Sequence, residues 1–199
     1  MVEISGIAEA IARNITQAVF ANAQANQKTP EQILRDDLEA CHRPDELYGV
    51  WRVRQVIESL GFSIYACSEF PPSIRERLGM NADVPAAAAI ELNAILLSTW
   101  NISRMAVDQL GLHPQAVTTA CLLHEAGHLL SAKEPITNQI EKERRAWEIG
   151  RILLERHNLY GFCPDHAFKA VEAACRNSYG DPAIVHRQTI SDKTYPSLL

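Results

Sequence analysis

Two histidines and a glutamate carry the chemistry that this sequence suggests most directly. The run His124-Glu125-Ala126-Gly127-His128 places the histidines four residues apart in a segment with helical periodicity. Positions i and i+4 lie on one face of a helix, so both imidazoles can bind the same zinc ion. Glu125 emerges beside them, where its carboxylate reaches a water on the metal but is badly placed to be a ligand. Metallopeptidases use this pattern, with zinc as Lewis acid and the glutamate as general base.

The surrounding segment predicts a buried helix, which favours a metal site over an accidental string. His113-Pro114 is typical of a helix cap followed by proline in the first turn. The helix that follows is largely apolar, so its histidines and glutamate need polar or metal partners. Gly127 costs about 1 kcal/mol relative to alanine in a helix. A close approach of the metal or of a neighbouring backbone would explain that glycine.

A catalytic zinc ion usually has three protein ligands and one open position, and three glutamates follow the histidines. Glu134 lies six residues after His128, where metzincins place their third ligand. Those enzymes have glycine midway and a methionine further on. Here Ser131 stands midway and every methionine of the chain lies upstream, so the metzincin interpretation fails.

Glu143 and Glu148 lie on the next predicted helix, from Asn138 to about Asn158. If this helix returns antiparallel, Glu143 lies about 9 Å from the turn, level with the histidines at about 4 to 11 Å. Glu148 lies at about 16 Å and overshoots them. The helical neighbours of Glu143 are mostly apolar, whereas those of Glu148 are mainly arginines. We therefore predict Glu143 as the third ligand; the alternative is a surface glutamate paired with a nearby arginine.

Residues 45–160 resemble the ImmA/IrrE family of metallopeptidases, which are compact gluzincins. That family has HExxH and then a helix of the form E-x-E/Q-A-N-x-F-A-x-x-L-L. The first motif is complete at residues 124–128, and Glu143, Ala146, Leu153 and Leu154 match the second. The residues of the second helix that depart from the form are Arg145, Trp147, Ile149 and Gly150.

The resemblance implies a peptidase that binds one Zn2+ per chain and cleaves a protein or peptide substrate, commonly a regulatory protein. Gluzincins often add a tyrosine or histidine that stabilises the oxyanion. The last predicted helix, 164–177, should run back towards the metal, which makes Tyr179 and His186 the candidates. For each of them the alternative is a surface or packing role.

The elements that must position these residues predict an α+β fold, mainly helical, with a small three-stranded sheet packed on the HExxH helix. This is a minimal gluzincin, zincin-like arrangement. Strands are expected at 62–67, 86–92 and 94–98, with a turn near Asn93. The strand 94–98 either offers an exposed edge to an extended substrate or is paired within the sheet. The other predicted helices cover 4–24, the segment that begins at Thr29-Pro30, the segment from Pro44-Asp45 to Leu60, and 102–110.

Composition excludes several classes of partner. The 199 residues carry a net charge of −5 with no basic stripe, which argues against nucleic acid. No apolar run approaches the length of a membrane span. Charged residues interrupt the first apolar stretch, so we expect an amphipathic helix there rather than a signal peptide. We expect residues 45–199 to form the peptidase domain and 1–44 a helical extension.

The cysteines bear on the cellular compartment. There are five of them, an odd and scattered set without a CxxC pair. This pattern favours reduced thiols, and hence a cytoplasmic protein, over a disulfide framework. The oligomeric state is not indicated.

Two other functional classes fit the same residues. One is a zinc-binding interaction module without turnover, although Glu125 has little to do in a purely structural zinc site. The other is a metal-free helical scaffold. A nucleobase deaminase is excluded, because it needs H-x-E together with P-C-x-x-C, which Cys163-Pro164 does not supply.

Overall fold

The computed structural model describes residues 28–178. The chain divides into two units between Asp36 and Asp37, inside helix α1 (Pro30–Cys41). The predicted start of this helix is confirmed, because the Thr29 N–H donates to Gln32 Oε1 at 2.8 Å and the Gln32 N–H donates to Thr29 Oγ1 at 3.2 Å. Such reciprocal bonds satisfy two donors that a helix start leaves unpaired. The helix predicted over 4–24 lies outside the described residues.

The second unit has the predicted α+β class, mainly helical with three strands. In chain order its elements are a 3-10 helix (Pro44–Val50), α2 (Trp51–Ser59), β1 (Ser63–Cys67), α3 (Pro72–Leu78), β2 (Ala86–Ala89), a 3-10 turn (Ile90–Leu92), β3 (Ala94–Ser98), α4 (Thr99–Arg104), a π-helical turn (Met105–Leu110), α5 (Pro114–Ser131), α6 (Gln139–Arg156) and α7 (Asp165–Ser178).

The sheet is mixed, in the order β1-β3-β2. β3 runs parallel to β1 and antiparallel to β2, with Tyr65 opposite Leu96 and Ala88 opposite Ile95. β3 is therefore the central strand, and all its residues are buried. Of the two alternatives left open for 94–98, the structure has ordinary sheet pairing and not an exposed edge. Asn93 makes the predicted turn with φ 49°.

Helix α5 is the element around which the second unit packs. It contacts both strands of the β2–β3 hairpin as well as helices α2, α6 and α7. Its buried residues cover nearly every side, which agrees with the apolar sequence. The helix that bears His124 and His128 thus lies against the sheet on one side and other helices on the rest, as predicted.

Two short helices differ from the sequence prediction. The single helix expected from Pro44 to Leu60 is interrupted at Val50, whose φ of −125° and ψ of 27° lie outside helical values. Helix α3 was not predicted. It has only seven residues, too few for a periodic pattern, although Pro72 in its first turn and Gly79 at φ 63° mark its ends.

Cys41 and Cys67 form a disulfide with their Cα atoms 5.3 Å apart. The expectation that all cysteines are reduced is wrong for this pair, and Cys121, Cys163 and Cys175 are free. The pairing joins the end of α1 to the end of β1, a proximity that the 26-residue separation does not reveal. Between residues 28 and 178 no helix is both long and apolar enough to cross a membrane.

Candidate metal centre

Helix α5 presents both histidines on one face. It begins at His113, whose Nδ1 accepts a hydrogen bond from the Gln115 N–H at 3.2 Å. Eleven and fifteen residues later, His124 and His128 point their Nε2 atoms at each other across 3.1 Å. His124 is buried and His128 is partly buried. The helical repeat brings two donor atoms to one point, as the spacing predicted.

Helix α6 supplies the third donor. Asn138 caps its start by accepting a hydrogen bond from the Ile140 N–H at 2.8 Å. One turn further, Glu143 Oε2 lies 3.2 Å from His124 Nε2 and 3.4 Å from His128 Nε2. The carboxylate is buried. The structure thus brings together His124, His128 and Glu143 with all three donor atoms within 4.8 Å of one another.

Small residues allow the two helices to approach this closely. A Cβ atom on Gly127 would lie 2.2 Å from the Ala146 carbonyl oxygen, and one on Gly150 would lie 3.0 Å from the Leu123 carbonyl oxygen. No side chain fits at the first position. The close approach predicted at Gly127 is therefore confirmed, and it is made by the backbone of α6.

The charges of the group favour a cation. Burial opposes ionisation of Glu143, but the two imidazoles against it outweigh burial and lower the pKa of its carboxyl to about 2. Burial likewise opposes protonation of His128, yet Glu143 and the charge of Glu125 raise its pKa. A buried anion that favours protonation of the neighbouring His128 ring also attracts a metal ion.

Glu125 lies beside the three donors without joining them. Its nearest carboxylate oxygen is 4.0 Å from His124 Nε2. The Ala88 N–H on β2 donates a hydrogen bond to that carboxylate. Burial raises the pKa of Glu125, while the two histidines act in the opposite direction. The contact with β2 fixes the carboxylate and was not visible in the sequence, because it comes from a main-chain donor.

Trp147 supports His124 from behind. The two rings stack with centroids 4.1 Å apart and planes 22° apart. Phe168 of α7 packs edge-on against the indole at 5.4 Å. Within the described residues His124 Nδ1 has no hydrogen-bond partner, so on that side of the ring the contact is the stacking on Trp147. The sequence marked Trp147 as an apolar neighbour of Glu143 and as a departure from the family form, and gave no sign of its contact with His124.

Gln139 is a second residue that the sequence did not single out. Its Nε2 donates to Glu143 Oε1 at 2.9 Å, which leaves Oε2 directed at the histidines. The two residues are four apart on α6, so the spacing of side chains that meet on a helix was the available signal. Gln139 thus orients the carboxylate.

The other glutamates lie elsewhere. Arg145 donates to both carboxylate oxygens of Glu134, from Nε at 3.1 and 3.0 Å, and to Glu148 Oε2 at 2.7 Å. The Glu148 side chain is 61% exposed. The candidates Tyr179 and His186 lie outside the described residues.

The buried His-His-Glu group can hold a metal ion. Comparisons with protein-family models, with curated proteins and with solved structures give no match to this chain. The geometry of the centre and the chemistry of its side chains are therefore the basis of a functional assignment.

Proposed function

We propose that this protein is a zinc-dependent peptidase that hydrolyses a peptide bond in a protein substrate. The observation that carries the proposal is the convergence of His124, His128 and Glu143 in a buried corner. Glu125 lies beside them at the wall of a cavity. Three donors and a carboxylate that is not a donor are what metal-assisted peptide hydrolysis requires.

The donor spacing supports zinc. Ligands bound tetrahedrally to zinc at 2.0–2.1 Å lie about 3.3 Å from one another. The three distances between donor atoms are 3.1, 3.2 and 3.4 Å, on either side of that value. Two imidazoles and one carboxylate also suit zinc better than magnesium or calcium, which prefer oxygen ligands.

Each residue has a distinct role in the proposed reaction. His124, His128 and Glu143 would hold the zinc ion, which would supply a Lewis acid that activates water and polarises a carbonyl. Glu125 takes the proton from the attacking water and delivers it to the leaving amine. The Ala88 N–H holds the Glu125 carboxylate in place for both transfers.

The outer edge of β2 is the strand edge next to this site. The Pro85 carbonyl accepts a hydrogen bond from the Ser98 N–H of β3 at 2.9 Å. In an antiparallel pair the main-chain groups of every second residue point to the neighbouring strand, so from Pro85 onwards alternate residues of β2 bond to β3. Ala86 and Ala88 then direct their main-chain groups away from β3, and Ala88 reaches Glu125. An extended substrate that pairs with this edge passes directly beside the general base.

The class of substrate and the compartment belong to the same proposal. The resemblance to the ImmA/IrrE family is the support for a protein substrate, and the acidic net charge is the support for a partner other than nucleic acid. A cytoplasmic location is part of the proposal. The Cys41–Cys67 disulfide argues against that location, because disulfides persist mainly in oxidising compartments. If the two cysteines are reduced in cells, the protein is cytoplasmic; if they are bonded, it lies in an oxidising compartment.

Zinc content tests the metal site. Protein purified without added metal should contain about one zinc ion per chain. Glu143→Ala should lose the ion, and the matched variant Glu148→Ala, on the exposed part of the same helix, should keep it. A folded wild type that contains no zinc and takes up none would contradict the proposal and leave a metal-free scaffold.

A second variant separates an enzyme from a zinc-binding interaction module. Glu125→Gln should keep the zinc and lose cleavage of a peptide library, read by mass spectrometry, by roughly 10²- to 10⁴-fold. If the protein is an interaction module instead, the wild type should cleave no peptide of the library. The Glu125→Gln variant should then bind its ligands as the wild type does.

A further inference from the structure

A cavity of about 370 Å³ adjoins the candidate centre on the side of His124 and Glu125. Several elements of the fold form its walls, among them β2, the π-helical turn and α7. Ala86 represents β2, Met105 the π-helical turn and Ala174 the C-terminal half of α7. The cavity therefore adjoins the proposed general base and reaches the start of β2 at Ala86.

Apart from Asn101, His124 and Glu125, the polar residues that line this cavity are exposed, and its other buried or partly buried lining residues are apolar. Val84, Pro85, Cys121 and Trp147 line it together with Ala86 and Met105. Burial, followed by the charge of Glu125, raises the pKa of the Cys175 thiol to about 12. This thiol is consequently neutral at physiological pH and behaves as a small apolar group.

The charges around the cavity disfavour an ionic occupant. With zinc bound, the charge of the ion would offset those of Glu125 and Glu143, so an ionised side chain would lose its hydration inside the cavity without meeting a net opposite charge. Among the described lining residues Glu125 is the one buried carboxylate. In the proposed reaction it acts as the general base, so it is not a partner for a cationic side chain of the substrate. Asp83 and Arg104 at the rim are exposed and opposite in sign, so the rim has no net charge from this pair.

We propose that this cavity receives one uncharged, apolar side chain of the peptide substrate, adjacent to the bond that is cleaved. The inference rests on the proposed peptidase function. A volume of about 370 Å³ is at the small end of ligand sites, which suits one large side chain. A peptide paired with β2 at Ala86 places a side chain at its mouth, because successive side chains of a strand alternate between its two faces.

Met105 and Ala174 control the size of the cavity. Both line it, and neither belongs to the metal ligands or to the general base. Ala174→Leu adds a branched side chain to one wall, whereas Met105→Ala removes most of a side chain from another. The two variants thus change the accepted side chain in opposite directions. Val107→Ala is the matched control, because Val107 lies in the same turn but is exposed.

The test uses dipeptide hydroxamates whose side chain next to the hydroxamate is that of Gly, Leu, Phe, Asp or Lys. Zinc content is measured first, and dissociation constants follow by calorimetry on the zinc-bound protein. The Leu and Phe probes should bind wild type roughly ten to a hundred times more tightly than the Gly probe, because burial of such a side chain is worth that factor. The Asp probe should bind more weakly than the Gly probe.

The variants give the direction of the effect. Ala174→Leu should remove the advantage of the Phe probe. Met105→Ala should increase the advantage of Phe over Leu, and Val107→Ala should change neither. Circular dichroism checks that each variant is folded. If Ala174→Leu is not folded, the affinities of Met105→Ala and of the wild type for the probe series test the assignment of the cavity.

The failures are distinguishable. Bound zinc with equal affinity for the Gly and Phe probes, or with preference for Asp or Lys, would overturn the assignment of the cavity and leave the metal centre intact. A folded protein that binds no zinc would overturn the peptidase proposal and this inference with it.

Discussion

Gly127 of α5 and Ala146 of α6 are in backbone contact, so close that a Cβ atom on Gly127 would lie 2.2 Å from the Ala146 carbonyl oxygen. Gly127 immediately precedes His128, and Ala146 lies three residues after Glu143. The contact therefore sets the distance between the two helices at the level of the metal ligands. A wider separation would withdraw the carboxylate from the imidazoles.

Gly127→Ala should lower the free energy of unfolding by about 2 kcal/mol or more, because the added methyl group overlaps the backbone of α6. It should also weaken metal binding. In an unobstructed helix the same change is stabilising by about 1 kcal/mol, so the sign of the effect is informative. Urea denaturation and zinc titration measure the two quantities. Gly161→Ala is the control, since a Cβ atom there meets nothing within 4 Å; a stabilised Gly127→Ala variant would contradict the close contact.

Gln139→Ala should reduce zinc affinity roughly tenfold to a hundredfold without loss of the fold. The Gln139 amide holds Glu143 Oε1 at 2.9 Å, and partners of this kind orient a ligand for its metal. Competition against a chromophoric chelator measures the affinity. Glu141→Gln, at an exposed position of the same turn, should retain wild-type affinity. Equal affinities for both variants would show that the carboxylate is oriented without Gln139.

Zinc binding should be visible in the fluorescence of Trp147. Its ring stacks on His124 with centroids 4.1 Å apart, so a cation on that imidazole alters the electrostatic environment of the indole. Titration of metal-free protein should give a change that saturates near one equivalent. Trp147→Phe retains an aromatic ring and should lose this signal, although the exposed Trp51 and Trp100 still fluoresce. An unchanged titration in Trp147→Phe would assign the signal to another tryptophan.

Reduction of the Cys41–Cys67 disulfide should lower the free energy of unfolding by about 3.5 kcal/mol. The bond closes a loop across a sequence separation of 26 residues, and the entropy of closing such a loop has this magnitude. Urea denaturation with and without reductant measures the difference. The double variant Cys41→Ser/Cys67→Ser should match the reduced wild type and be insensitive to reductant. Sensitivity that persists in the variant would point to another pair of thiols.

Helix ends and the facing of the histidines could be predicted because they depend on local interactions. The caps at Thr29 and His113 are made by atoms at most three residues away, and the pairing of His124 with His128 follows from the helical repeat. The short helix α3 and the break at Val50 escaped prediction, because neither extends far enough to produce a period.

Contacts between distant segments were decided by the tertiary structure. Ala88 reaches Glu125 from the outer edge of β2, and Cys41 meets Cys67, through paths of the chain that spacing does not reveal. Helical geometry alone sets the height of Glu143 along α6, but its distance to the imidazoles depends on how closely two helices pack, and that depends on an absent side chain at Gly127. Local hydrogen bonding is determined by neighbouring residues, whereas packing is determined by every surface that meets at one point.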